Sequence, residues 1–185
     1  MIITITGKPC SGKGTVAKEF CKEYNFEYIC TGDMFREHAK NLGYDNILTF
    51  QEEDPRVKEI DKIVDNSIEE LGKTKINNNI VIDSRLAWHF IPNSFKVFID
   101  VNPTVAGKRL LEANRETEKT TSLNDAIKKL ETRWQVENDR YWELYKTNNL
   151  NPNNYDFVID SSNLTPQQIM KKIYSKYKKF VNPKQ

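Results

Sequence analysis

The sequence has no long apolar run, only three cysteines and only two histidines. A membrane-spanning helix needs about 18 or more consecutive apolar residues, so we expect no membrane partner. The segment Met1–Gly7 lacks the basic start and apolar core of a signal peptide, and the odd cysteine count is typical of reduced thiols (Cys10, Cys21 and Cys30). We therefore expect a cytoplasmic protein without disulfide bonds. The two histidines do not have the spacing of metal ligands, so we expect no histidine metal site.

Charge of one sign is also missing, because 28 basic residues stand against 26 acidic ones. This near balance argues against a surface built for nucleic acid, so we expect no nucleic-acid partner. A chain of 185 residues with 38% hydrophobic residues can bury a core of its own. We expect one domain over residues 1–185, acting as a monomer.

Short apolar segments alternate with helical patterns along the chain. Signals for helix starts come at Asp54-Pro55, Asn102-Pro103, Ser122 and Thr165-Pro166. Five predicted strands lie between the helices: Ile2–Thr6, Glu27–Cys30, Asn79–Asp83, Phe95–Val101 and Tyr155–Asp160. This order predicts an α/β fold with a five-stranded parallel sheet and helices on both faces.

A glycine-rich loop follows the first predicted strand and precedes the first helix. Its residues are Gly7, Lys8, Pro9, Cys10, Ser11, Gly12, Lys13, Gly14 and Thr15. The spacing and context are those of a P-loop, whose backbone N–H groups and helix N-terminus bind phosphate. Lys13 can reach the terminal phosphates of a nucleotide. Because Gly14 takes the usual hydroxyl position, we expect Thr15, or a water molecule, to provide the contact with magnesium.

Two further segments follow predicted strands at the same sheet edge. Thr31–Arg36 follows the second strand, and Asp83-Ser84-Arg85 follows the third. Ligands of parallel α/β sheets bind beyond the carboxyl ends of the strands. Arg36 and Arg85 could therefore hold one phosphate between their planar guanidinium groups.

Arginine is scarce in this chain, with seven residues against 21 lysines. Arg133 and Arg140 are seven residues apart on a long predicted helix, so they share a face. Together with Arg36, Arg85 and Arg115, they place five of the seven arginines at candidate phosphate-binding positions. This bias favours an acceptor that carries its own phosphate.

These motifs resemble those of the nucleoside monophosphate kinases. The P-loop form and the segment Gly32-Asp33-Met34-Phe35-Arg36 are similar to those of adenylate and cytidylate kinases. Val81–Ala87, and Arg133 with Arg140-Tyr141, are similar to the short, archaeal-like cytidylate kinases, although Ser84 replaces the family's glycine. The resemblance implies a P-loop NTP-binding fold with a small monophosphate-binding insert at about 31–75 and a short lid at about 115–121.

The resemblance also implies the activity and the roles of the residues. The reaction is transfer of the γ-phosphate of ATP, with Mg²⁺, to CMP or dCMP. The P-loop residues 7–15 bind ATP, and the implied catalytic residues are Lys13, Arg115, Arg133 and Arg140. The implied substrate-binding residues are Thr31, Gly32, Asp33, Arg36, Asp83 and Arg85, and the implied metal contacts are Thr15 and Asp83.

Three alternatives remain open at this point. A related kinase could act on AMP or on the hydroxyl group of a small metabolite. Transfer to a hydroxyl group needs a base, for which Asp33 or Asp83 could serve. A non-catalytic nucleotide switch would keep the P-loop but would not need Arg140. The basic, aromatic segment 174–180 could stack on nucleic acid bases, but its spacing also fits the buried stripe of a last helix, which we expect.

Overall fold

A computed structural model describes residues 1–45, 50–51, 54–75, 78–113, 120 and 122–182. Within these residues five strands form one parallel sheet: β1 (Ile2–Gly7), β2 (Glu27–Cys30), β3 (Ile80–Asp83), β4 (Phe95–Asp100) and β5 (Phe157–Asp160). Their spatial order is β2-β3-β1-β4-β5, so β1 lies at the centre between β3 and β4. The predicted fold class is confirmed.

Seven α-helices that connect or flank these strands have both ends in the described part of the chain. They are α1 (Lys13–Tyr24), α2 (Thr31–Asn41), α3 (Val57–Thr74), α4 (Ala87–Phe90), α5 (Pro103–Glu112), α6 (Leu123–Tyr145) and α7 (Pro166–Val181). No helix among the described residues combines the length and apolar character that crossing a membrane requires.

The two faces of the sheet pack against different helices because side chains alternate along each strand. Ile3 and Ile5 of β1 pack in one cluster with α1 and α7. Ile2 of β1 packs on the opposite face with Ile68 of α3 and Ala87 of α4. On that second face, Trp134 of α6 lies with its ring centroid 6.4 Å from that of Phe98 in β4.

Several predicted helix starts are confirmed by their caps. Asn102 accepts a hydrogen bond from Thr104 N, and Ser122 accepts one from Asp125 N. Thr165 forms a reciprocal capping box with Gln168, and Pro166 follows at the first helical position. The buried residues of α7 include Ile169, Ile173 and Tyr177, which confirms that the segment 174–180 contributes to the core of the fold.

Two predicted helix starts need correction. Helix α3 begins at Val57, because Asp54 and Pro55 form a turn in which the Asp54 carboxylate accepts a hydrogen bond from Arg56 N. Helix α2, for which the sequence predicts the range Asp33–Asn41, begins two residues earlier at Thr31. The short helix α4 was not predicted. The insert at 31–75 stays a prediction, and the lid at 115–121 lies outside the described residues except for Thr120.

Candidate active site

The P-loop turns sharply from β1 into α1. Gly12 has a φ of 82°, a left-handed conformation that suits glycine, and it caps the helix that begins at Lys13. The helix N-terminus therefore follows the loop directly, as phosphate binding requires.

Arg109 of α5 holds the backbone of the P-loop in place. Its guanidinium donates hydrogen bonds to the Cys10 carbonyl at 3.1 Å and to the Ser161 carbonyl at 2.8 Å. Because Ser161 follows β5, this side chain connects the P-loop to the edge of the sheet.

Lys13 and Asp83 are in direct contact at the carboxyl end of the sheet. The Lys13 ammonium group bonds to Asp83 Oδ1, and the Tyr28 hydroxyl donates to Asp83 Oδ2 at 3.1 Å. A Cβ at Gly14 would lie 3.2 Å from Asp83 Oδ2, so the missing side chain lets this buried carboxylate approach the loop. The structure thus puts a P-loop cation beside an oxygen donor that suits Mg²⁺.

A cavity of about 290 Å³ opens next to this pair. Its walls come from the P-loop, the start of α2, helix α3, the segment after β3 and helix α6. Half of the predicted site residues line it, namely Lys13, Gly14, Thr31, Gly32, Arg36, Asp83, Arg85, Arg133 and Arg140. Segments far apart in sequence therefore converge on one cavity lined by both basic and acidic side chains.

Glu137 of α6 holds two of these arginines. It accepts hydrogen bonds from Arg85 Nε at 2.7 Å and from Arg133 Nε at 3.2 Å, and Arg85 also donates to the Gly7 carbonyl. Burial alone would raise the pKa of Glu137, but the two guanidinium groups outweigh it and hold the pKa below its ordinary value. Glu137 is therefore an anion that orients two cations toward the cavity.

Arg140 has a different partner from the other arginines. Its Nε lies 2.7 Å from Asp61 Oδ2 on α3, and both side chains are about nine-tenths buried. One turn further along α3, Asp65 accepts a hydrogen bond from the Tyr145 hydroxyl at 2.7 Å. Arg140 thus joins α6 to α3 at the side wall of the cavity.

Arg36 and Asp33 pair with each other at the cavity mouth, and both side chains are more than half exposed. This hydrogen bond holds the pKa of Asp33 below its ordinary value. Arg36 lines the cavity, whereas Asp33 is not among the lining residues. The proposed two-arginine grip on one phosphate stays a prediction, because Arg85 and Arg36 each have a carboxylate partner here.

Other predicted site residues lie outside this cavity. Thr15 is exposed on α1. Lys8 forms an ion pair with Asp100, the last residue of β4, at a distance of 2.7 Å. Arg115 falls outside the described residues. In the described part of the chain, no cluster of three or more His, Cys, Asp or Glu side chains could hold a metal ion by itself. A magnesium site would therefore depend on Asp83 together with phosphate oxygens and water.

The carboxylates that organise the site were not predicted from the sequence. Asp61 and Asp65 share the buried face of α3 with Val57, Ile60 and Val64. Glu137 likewise lies on the buried face of α6, between Trp134 and Tyr141. An acidic residue inside an apolar helical stripe was the available signal, since burying a charge is costly unless it is paired.

Comparisons with known proteins identify relatives of this chain. A family model described as "AAA domain" matches residues 3–135. A cytidylate kinase of Methanocaldococcus jannaschii is 35% identical over 88% of this chain and 89% of its own length. An S-adenosylmethionine-dependent nucleotide dehydratase of Lacinutrix mariniflava is 35% identical over 96% of this chain, which spans only 36% of that relative.

Among solved structures, a shikimate kinase from Bacteroides thetaiotaomicron superposes with a TM-score of 0.66. The superposition covers 98% of each chain at 16% sequence identity. At that identity the likeness shows the shared fold and nothing about the acceptor.

Proposed function

This chain belongs to the AAA-domain family and to the short, archaeal-like cytidylate kinases, which are ATP-dependent phosphotransferases, and we propose that it transfers the γ-phosphate of ATP to CMP or dCMP. The products are ADP and CDP or dCDP. The observation that carries the proposal is one cavity that Lys13 and Asp83 line together with Arg85 and Arg133. Two anions that must react with each other need cations between them.

The acceptor phosphate is itself an anionic nucleophile, so this reaction needs positioning and charge neutralisation more than a general base. Lys13 and the loop amides would hold the terminal phosphates of ATP. Arg85 and Arg133, oriented by Glu137, would hold the acceptor phosphate or the phosphoryl group in transfer. Arg36 at the mouth would add a further cation.

Asp83 fits Mg²⁺ because its carboxylate lines the cavity beside the P-loop lysine, while exposed Thr15 fits less well. When bound, Mg²⁺ supplies positive charge to the phosphate oxygens of ATP. Asp83 would hold the ion, directly or through water, as Lys13 moves from the carboxylate to phosphate. Tyr28 keeps the carboxylate in place through its hydrogen bond to Oδ2.

The decisive experiment is an assay of ADP release with CMP, dCMP, UMP, AMP and a set of small hydroxyl acceptors. We expect the highest kcat/KM for CMP, followed by dCMP. Preference for AMP would overturn the choice of base and leave the kinase assignment. Turnover of a hydroxyl acceptor without turnover of any monophosphate would overturn the proposal.

A lysine variant tests the donor side in the same assay. We expect Lys13→Met to lower kcat about a thousandfold, the order of effect that a cation on the transferred phosphoryl group has. Lys22→Met, an exposed lysine in the last turn of the same helix, is the matched control and should keep wild-type turnover. Wild-type turnover in Lys13→Met would contradict the role given to this loop.

A further inference from the structure

Two acidic side chains in the cavity have no role in holding phosphate. Asp61 and Asp65 lie one turn apart on α3, are 7% and 8% exposed, and line the same cavity as Lys13 and Arg85. An anionic acceptor phosphate would be repelled by them. They therefore mark an end of the cavity that suits the other part of the substrate.

This end of the cavity offers both hydrogen-bond donors and hydrogen-bond acceptors. Asp61 pairs with Arg140, which supplies guanidinium donors, while Asp65 has the Tyr145 hydroxyl as its donor. Burial raises the pKa of Asp61 to about 6 and that of Asp65 to about 7. Near neutral pH the three groups thus offer an anionic acceptor, a carboxyl that can donate or accept, and a fixed cationic donor.

Apolar side chains complete this end of the cavity. Phe35 of α2 and Val64 of α3 line it beside the two carboxylates, and both are at least nine-tenths buried. An aromatic ring and a branched aliphatic side chain suit a flat heterocycle, whose faces are apolar and whose edge is polar.

We propose that Asp61, Asp65 and Arg140 form the base-reading end of the acceptor site and select a pyrimidine with an exocyclic amino group next to an unprotonated ring nitrogen. The inference rests on the proposed function and adds the residues that choose the base. The amino group of cytosine donates to a carboxylate, while its ring nitrogen and carbonyl accept from the carboxyl proton and the guanidinium. Uracil places a carbonyl where the amino group would be, so two acceptors would face each other.

The charges of the cavity also fix the direction in which a monophosphate enters. Lys13, Arg85 and Arg133 lie at the strand ends and on α6, whereas both carboxylates come from α3. A monophosphate bound in reverse would set its phosphate against Asp61 and Asp65. The same carboxylates therefore select the base and exclude the wrong orientation.

The test compares kcat/KM for CMP and UMP in Asp61→Asn and Asp65→Asn, because the two bases have the same ring size. The asparagine amide can donate to the uracil carbonyl. We expect the CMP-to-UMP ratio to fall roughly tenfold to a hundredfold, mainly through a higher KM for CMP. Glu59→Gln, an exposed acidic residue of the same helix, is the control and should keep the wild-type ratio.

An equal loss of activity toward CMP and UMP in both variants would overturn the inference, because the carboxylates would then only support Arg140 and Tyr145. Should Asp61→Asn fail to fold without the counter-charge of Arg140, Asp65→Asn decides alone, since its amide oxygen can still accept from Tyr145. A wild-type enzyme that phosphorylates no monophosphate would overturn the proposed function and this inference together. Wild-type activity on CMP with an unaltered ratio in the variants would overturn this inference alone.

Discussion

The two faces of the sheet bury different kinds of side chain. On the face covered by α1 and α7, Phe20 packs edge-on against Tyr24, and Tyr24 stacks on Tyr174 with ring centroids 3.7 Å apart. On the face covered by α3 and α6, buried carboxylates and guanidinium groups pair with each other, as Glu137 does with Arg85. One face is aromatic and aliphatic, whereas the other combines an apolar cluster that includes Ile2 and Ile68 with a network of charges.

This difference separates stability from function. Burying apolar surface stabilises the fold, whereas a buried charge pair at best offsets its own loss of hydration. The charged side chains therefore stabilise the fold less than apolar side chains would, but they present cations and carboxylates to a cavity. We expect substitutions on the two faces to differ in whether they change stability, activity or both.

The largest effect should follow from Glu137→Gln. This change leaves Arg85 and Arg133 without their shared counter-charge, and we expect it to lower the free energy of unfolding by about 4 kcal/mol and kcat by at least tenfold. Urea unfolding and the ADP-release assay measure the two effects. The exposed Glu131→Gln on the same helix should change stability by less than about 0.5 kcal/mol. Wild-type values for Glu137→Gln would refute the proposed role of the network.

A smaller effect of opposite sign is expected for Asp65→Asn. Burial raises the pKa of Asp65 from its ordinary 3.8 to about 7, so between these values the folded protein binds more protons than the unfolded chain. The wild type therefore loses stability from Asp65 as the pH rises through this range. The variant avoids this loss and should be more stable than wild type by about 2 kcal/mol at pH 8, and about equal to it near pH 4.

Thermal or urea unfolding at both pH values checks this prediction, with Glu59→Gln as the exposed control. A variant less stable than wild type at pH 8 would show that the charged form of Asp65 stabilises the fold. Higher stability combined with weaker base selection would show that this residue is kept for function.

The smallest effect should come from the aromatic face. Ile173 of α7 is fully buried, and Ile173→Val should lower the free energy of unfolding by about 1 kcal/mol. We expect kcat for the folded enzyme to stay at the wild-type value, because α7 lies on the face away from the cavity. A clear loss of kcat at a temperature where the variant is fully folded would break the division between the two faces.

Local patterns predicted the strands, the P-loop and most caps because these features depend on neighbouring residues. Thr165, Pro166 and Gln168 specify a helix start within four positions, and the structure has it there. The glycine-rich motif likewise lies between a strand and a helix as predicted, with Gly12 directly before the helix that begins at Lys13.

The partners of the arginines could not be predicted, since they depend on long-range packing. Glu137 meets Arg85 across 52 residues, and Arg140 meets Asp61 across 79 residues, so no short spacing encodes either pair. The arginine positions pointed to one sheet edge, and the structure brings four of the five into one cavity. Arg115 lies outside the described residues, and its role stays a prediction.

The Arg109 bridge affects how this protein can be divided into fragments. The family model ends at residue 135, whereas the bridge from Cys10 reaches Ser161. A truncated chain ending near 135 would retain the glycine-rich motif and Arg109 but lose Ser161, the partner that ties the Arg109 guanidinium to the edge of the sheet. For expression trials, the smallest nucleotide-binding unit should therefore extend past β5.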